Sequence, residues 1–181
     1  MMHMLRALPS LLVALLFACS TEAEEWRAPE LRLGLVAHDA AGKEQGSASL
    51  AAEVLFALPG REKAGDLQSL VPRLQVGAIL NTAGRTSLAH AGLIWQIDLV
   101  GGLFAEAGLG LAAHDGDTGS ASRPGHAALG CRLLFRETIG LGYRLGGGWS
   151  VLGSVEHVSN GGLCARNRGL THLGMRVGYQ F

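Results

Sequence analysis

The chain has 181 residues, enough for one domain, and its 15 basic residues balance 15 acidic ones. A formal net charge of zero argues against nucleic acid as a partner. Glycine is abundant at 27 residues and proline sparse at 5. Hydrophobic residues make up 48 %, yet beyond the first segment no apolar run reaches the roughly 20 residues of a spanning helix.

That first segment carries Arg6, then the apolar run Leu11-Leu12-Val13-Ala14-Leu15-Leu16-Phe17-Ala18, then small residues. This is the order of a secretory signal peptide: positive start, short apolar core, small-residue cleavage zone. Residues 1–23 are assigned to it, with cleavage after Ala23, and 24–181 to the mature domain. Leu16-Phe17-Ala18-Cys19 also has the outline of a lipobox, although Phe17 is large for its slot. Cys131 and Cys164 remain in an exported chain, where disulfides persist; the sequence does not decide whether they pair.

Eight segments of the mature chain alternate with period two: 30–38, 47–58, 72–80, 87–98, 102–114, 127–145, 148–158 and 170–181. Most are close to the roughly 9–11 residues of a tilted membrane-crossing strand. No helical period is sustained. In the fifth segment Leu103, Ala105, Ala107, Leu109 and Leu111 share one face. In the sixth that face takes Leu129, Cys131, Leu133, Phe135, Ile139, Leu141 and Tyr143. In the eighth it takes Leu173, Met175, Val177, Tyr179 and Phe181. The opposite faces pool glycine with Arg32, Glu53, Arg73, Asp98, Glu106, Arg132, Arg136, Arg144, Glu156 and Arg176.

A soluble, lipocalin-like barrel would turn the apolar face inward. Two features favour the inverse. The apolar faces end in Trp149, Tyr143, Tyr179 and Phe181, as interfacial girdles do. The charges are of both signs, so they can pair inside a small closed barrel. The reading is an all-β protein, an eight-stranded antiparallel transmembrane β-barrel of the bacterial outer membrane. An even strand number puts both termini on the periplasmic side. The outer loops are then 39–46, 81–86, 115–126 and 159–169. The link 59–71 is long and charged for a periplasmic turn.

One stretch carries chemistry: Val155-Glu156-His157-Val158-Ser159-Asn160-Gly161-Gly162. His157 and Ser159 share parity with Trp149, Val151 and Val155, so they stand side by side on the lipid face. A histidine beside a serine is the minimal nucleophile and general-base pair. Two polar side chains on a lipid-facing wall cost free energy unless they sit at the interface or act there. Hairpin geometry adds an acid. If strands six and seven turn at Gly146-Gly147-Gly148 with Leu145 opposite Trp149, Glu137 falls opposite His157 on the same face, within hydrogen-bonding reach. Glu156 points inward by parity. The remaining histidines lack metal-ligand spacing, and Asp115-Gly116-Asp117 reads as a turn.

The run from Glu156 to Leu163, then Asn167-Arg168-Gly169-Leu170, then Leu173 to Phe181, resembles the lipid A 3-O-deacylase (PagL) family. Leu134-Phe135-Arg136 and Gly140-Leu141-Gly142-Tyr143-Arg144 are similar to that family's sixth strand. The specific likeness covers roughly the last 50 residues. It implies a site on the outside of the barrel and cofactor-free serine esterase chemistry on the 3-position acyl chain of lipid A. Ser159 would be the nucleophile and His157 the base. Asn160, Gly161 and Gly162 would form the oxyanion region. Lipopolysaccharide in the outer membrane would be the substrate. The sequence leaves the oligomeric state open, a homodimer included. The family's acidic third member falls on Thr171, which can accept a hydrogen bond from an imidazole but carries no charge. That departure keeps a second reading in play, a non-catalytic structural or adhesive barrel.

Overall fold

The computed structural model describes residues 29–119 and 122–181. The expected signal peptide, residues 1–23, lies outside the described residues. Eight antiparallel strands follow one another: β1 (Glu30–His38), β2 (Ser47–Ala57), β3 (Arg73–Asn81), β4 (Leu88–Asp98), β5 (Leu103–His114), β6 (Leu133–Gly146), β7 (Trp149–Ser159) and β8 (Leu170–Gln180). Each pairs with the next, and β8 returns to β1 from Glu30↔Gln180 to Ala37↔Leu173, closing the barrel. Closure satisfies every strand edge, which a lipid environment demands.

Exposure settles the orientation of the wall. Leu35 is 62 % exposed, Ile139 63 % and Met175 73 %, while Arg136 and Glu156 on the other face are 2 % and 1 % exposed. A soluble barrel would show the reverse. At the end of the barrel where β1 begins and β8 finishes, Trp149 packs against Tyr179 with ring centroids 4.8 Å apart, and Tyr179 against Phe181 at 5.1 Å. These rings form the expected aromatic rim.

The lumen is filled by paired charges. Arg32 donates to Glu30 at 2.7 Å and to Glu106 at 2.9 and 3.0 Å. Arg73 also reaches Glu30. Arg136 donates to Glu156 at 2.9 Å and to Gln75 at 2.8 Å. Arg176 joins Glu156 and sits 2.9 Å from Glu53. Each ion pair offsets desolvation that either partner alone could not bear. Three charges expected inside lie elsewhere. Asp98 and Arg144 form an exposed pair at 2.6 Å, and Arg132 sits at the exposed end of a loop, donating to the carbonyls of His114 and Gly116. Asp98 and Arg144 stand near strand ends and Arg132 precedes β6, so none of them is enclosed by the wall.

The sixth strand begins later than its alternation suggests, at Leu133. Ala127, Ala128 and Leu129 instead fold inward and are buried, with Leu129 packed in a cluster that includes Val36, Leu88, Leu134, Val158 and Leu170. Leu129 and Cys131 therefore do not belong to the lipid face. This loop closes the outer mouth, and Cys131 is disulfide-bonded to Cys164 in the next outer loop, Cα atoms 5.8 Å apart. The awkward link 59–71 contains a 3-10 helix, Arg61–Leu70. Its last carbonyl accepts a 3.1 Å hydrogen bond from Trp95 Nε1 on the outer face of β4.

Candidate active site

β7 turns Trp149, Val151 and Val155 outward and buries Ser150, Leu152, Ser154, Glu156 and Val158, and its alternation carries His157 and Ser159 to the outer end of the lipid face. Both are half-buried. On β6, Glu137 pairs with His157 and Phe135 with Ser159; on β8, Thr171 pairs with His157 from the other side. The β6–β7 turn differs from the simple hairpin. Gly146 pairs with Trp149, and Leu145 is the extra residue of a bulge between Arg144 and Gly146. The bulge confines the slip to the turn, so Glu137 still arrives opposite His157.

His157 Nδ1 shares a hydrogen bond of 2.9 Å with Thr171 Oγ1. Glu137 is exposed and makes no hydrogen bond to the ring. The Glu–His bond expected from the hairpin is thus not formed, because the ring presents Nδ1 to only one flanking strand and Thr171 takes it. The ring's other edge faces the outer loop: a Cβ added to Gly169 would lie 2.6 Å from Cε1 and 2.8 Å from Nε2. Only glycine leaves room for the imidazole there. Among the described residues no hydrogen bond joins His157 to Ser159. Bonds of this kind are often long before substrate arrives and tighten in the complex.

The turn after Ser159 is tied from within. Asn160 is buried. Its Nδ2 donates to Leu129 O at 2.7 Å and to Arg166 O, and its Oδ1 accepts from Gly162 N at 2.9 Å. The Asn160 amide nitrogen donates to Asn167 Oδ1 at 2.9 Å, and Leu163 N to Asn160 O at 3.1 Å. The Asn160 side chain therefore has no donor left for a ligand, and neither do the Asn160, Gly162 and Leu163 amides. Among the described residues of this turn, Gly161 N–H is the donor without a protein partner, at a left-handed φ of 63° beside the Phe135 ring.

Below His157 the outer wall is hollowed into a groove of about 480 Å³, lined by Trp95, Ala107, Leu109, Glu137, Ile139, Val155 and His157 among others. Ala107 is small between larger neighbours: it pairs with Trp95 on one side and Ile139 on the other. The depression follows from that size difference. Its upper edge is formed by Glu137 and His157, so an apolar chain lying in it would end beside the imidazole.

Behind Thr171 stands a residue that motif reading missed. Asp39, 2 % exposed, begins the first outer loop and accepts from Thr171 N at 3.2 Å through Oδ1. Its Oδ2 accepts from Glu44 N at 2.9 Å, and its own N–H donates to His172 Nδ1 at 3.1 Å. No local pattern marks Asp39; its partner is 132 residues away and is met only because β1 closes on β8.

Glu44, in the same loop, is fully enclosed. Burial alone would raise its pKa. Bonds from His38 Nε2 (3.0 Å), Ala127 N (2.8 Å) and Thr86 N and Oγ1 (2.9 Å each) outweigh this and hold it down to about 2. Asp115 and Asp117 are used within the loops: Asp115 accepts from Ser87 N at 2.7 Å, and Asp117 from Arg123 N at 2.7 Å, which lowers its pKa.

The comparisons with known proteins fit this geometry. A crystal structure of the outer membrane enzyme PagL superposes with a TM-score of 0.64 at 20 % identity, covering 84 % of this chain and 99 % of that one. The N-terminal β-barrel domain of Pseudomonas aeruginosa OprF gives 0.57 at 14 % identity, covering 86 % of this chain and 98 % of its own. Neisserial surface protein A gives 0.54 at 9 % identity, with 84 % and 96 % covered. At these identities the likenesses establish the barrel alone. No curated protein sequence matches. The family model described as lipid A 3-O-deacylase (PagL) matches residues 19–180, nearly the whole chain, and the protein belongs to that outer-membrane family.

Proposed function

We propose that the protein is a serine esterase that removes the acyl chain ester-linked at position 3 of lipid A, acting on lipopolysaccharide at the outer surface of the outer membrane. The observation that carries this reading is the outward-facing His157, fixed through Nδ1 by Thr171 at 2.9 Å, at the head of an apolar groove in the barrel wall. A lipid reaches such a site sideways from the membrane.

With Nδ1–H donated to Thr171, the free lone pair is on Nε2, the tautomer a general base needs. Ser159 Oγ attacks the ester carbonyl carbon and its proton passes to Nε2. The carbonyl oxygen becomes an oxyanion, and we assign Gly161 N–H, the unpartnered donor of this turn, to receive it. Collapse breaks the bond to the sugar oxygen, which takes the proton from the imidazolium. Water then repeats the sequence on the acyl-serine and releases the fatty acid. No step calls for a cofactor. Asn160 holds the turn that presents Ser159 and Gly161. Glu137 lies opposite the ring on β6 without bonding to it.

The rival reading, a non-catalytic barrel, draws on the uncharged Thr171 and the unmade Ser159–His157 bond. One experiment decides. Purified wild type and Ser159→Ala, refolded in detergent, are incubated with lipopolysaccharide and the released fatty acid is measured. Release by wild type alone supports the esterase; equal release, or none from either, removes it.

A further inference from the structure

The proposed mechanism leaves one requirement unmet. An imidazole that takes a proton becomes a cation, and Thr171 has no charge to stabilise it. The first outer loop supplies one. Asp39 Oδ1 accepts from Thr171 N at 3.2 Å, and the next residue, Ala40, donates its N–H to Thr171 O at 2.7 Å. The loop therefore grips both backbone groups of the residue whose hydroxyl holds His157. Asp39 is itself immobilised. Its φ of 45° is left-handed, a region aspartate tolerates, and Gly42 N donates to its carbonyl at 2.9 Å. Glu44 N occupies its second carboxylate oxygen. A buried carboxylate held this way acts across little water, where charge interactions are strong.

We propose that Asp39 is the positioning acid of this site: through the Thr171 backbone it fixes the hydroxyl that orients His157, and its charge stabilises the imidazolium. The proposal rests on the esterase reading and deepens it by placing the family's third function on a different strand end. The surrounding groups are consistent with it. His172 Nδ1 accepts the Asp39 N–H, so it bears no proton there. His38 lies against His172 with ring centroids 4.8 Å apart and is bonded to Glu44. Lys43 is turned away to Ser122. On β6, Glu137 faces the same imidazole without bonding to it.

The test compares kcat, KM and the pH profile of wild type and Asp39→Asn on lipopolysaccharide. Asn can still accept from Thr171 N but carries no charge. The expected result is a kcat lower by on the order of tenfold to a hundredfold, part of what a general base supplies, with KM little changed. The acidic limb of the profile should move to lower pH, because losing the anion favours neutral imidazole. An unmoved limb, or a limb moved by Glu137→Gln and not by Asp39→Asn, overturns the assignment.

A second variant does not depend on Asp39→Asn folding. Thr171→Glu in the wild-type background should raise kcat by less than about threefold, since the ring already has its acid; a gain of tenfold or more shows that no carboxylate served it and overturns the proposal. Titration of the His157 ring by NMR in wild type and Asp39→Asn reads the same charge without turnover. If the protein has no esterase activity, that titration still shows whether Asp39 raises the ring's affinity for a proton.

Discussion

His157 is bonded to Thr171 on β8, at 2.9 Å, and not to Glu137, its equally paired neighbour on β6. The ring has one nitrogen to give to an orienting partner, and the strand that receives it decides which outer loop controls the base. Removing the hydroxyl should therefore matter. Thr171→Val is expected to lower kcat by about five- to tenfold, the worth of one hydrogen bond of roughly 1–1.4 kcal/mol. Glu137→Gln should have the smaller effect. Steady-state kinetics on lipopolysaccharide checks the ordering.

Gly169 offers a sharper test of ring placement. A methyl group there would meet the imidazole at 2.6 and 2.8 Å, and the backbone O of Val158 at 2.7 Å. Gly169→Ala should displace the ring and lower kcat by about a hundredfold, the cost of a shift of about 1 Å at a reacting group. Heat-modifiable mobility on gels should stay that of a folded barrel. Unchanged turnover would mean that the ring does not work from this position.

The groove should report on the chain and not on the ester. Ala107→Phe fills it from β5. The variant is expected to lose most of its kcat/KM on lipopolysaccharide while hydrolysing a short soluble ester as before. Equal loss on both substrates would place the acyl chain elsewhere.

The two outer loops that frame the site are joined by Cys131–Cys164, across a sequence separation of 33. Replacing both by serine should lower stability by about 2–4 kcal/mol, as for a loop of this kind. It should also loosen the Asn160 amide bond to Leu129 O, which lies two residues from Cys131. Thermal unfolding of the double variant and fatty acid release from lipopolysaccharide measure the two effects.

Glu44 predicts the response to acid. Its pKa is depressed in the folded protein, to about 2 from 4.5. Its contribution to stability is therefore fully present above about pH 4.5 and is lost as pH falls through that value toward about 2. Proteolysis of the outer loops should rise across that window in wild type. Glu44→Gln should weaken the loops at neutral pH and flatten the acid response.

Much of the barrel was legible because membrane strands are simple: period-two alternation fixes the faces, and closure fixes their partners. The Glu137–His157 pairing was readable from the glycine turn even though Leu145 bulges out of it. The start of β6 was not readable. Ala127, Leu129 and Cys131 alternate like a lipid face, but they fold over the mouth, where the same spacing meets an apolar interior. His157 and Ser159 announced themselves by being polar on a greasy wall. Asp39 could not, since its meaning depends on a contact between the two ends of the barrel sequence.

The interior of the barrel has one more implication. Arg32, Arg73, Arg136 and Arg176 are matched there by Glu30, Glu53, Glu106 and Glu156, linked across the bore. Ions entering would have to break those pairs, so the molecule acts as a stopper where a porin would be a conduit. A cell can then remodel its outermost leaflet from within that leaflet while the permeability barrier stays shut, and single-channel recordings in planar bilayers should be silent.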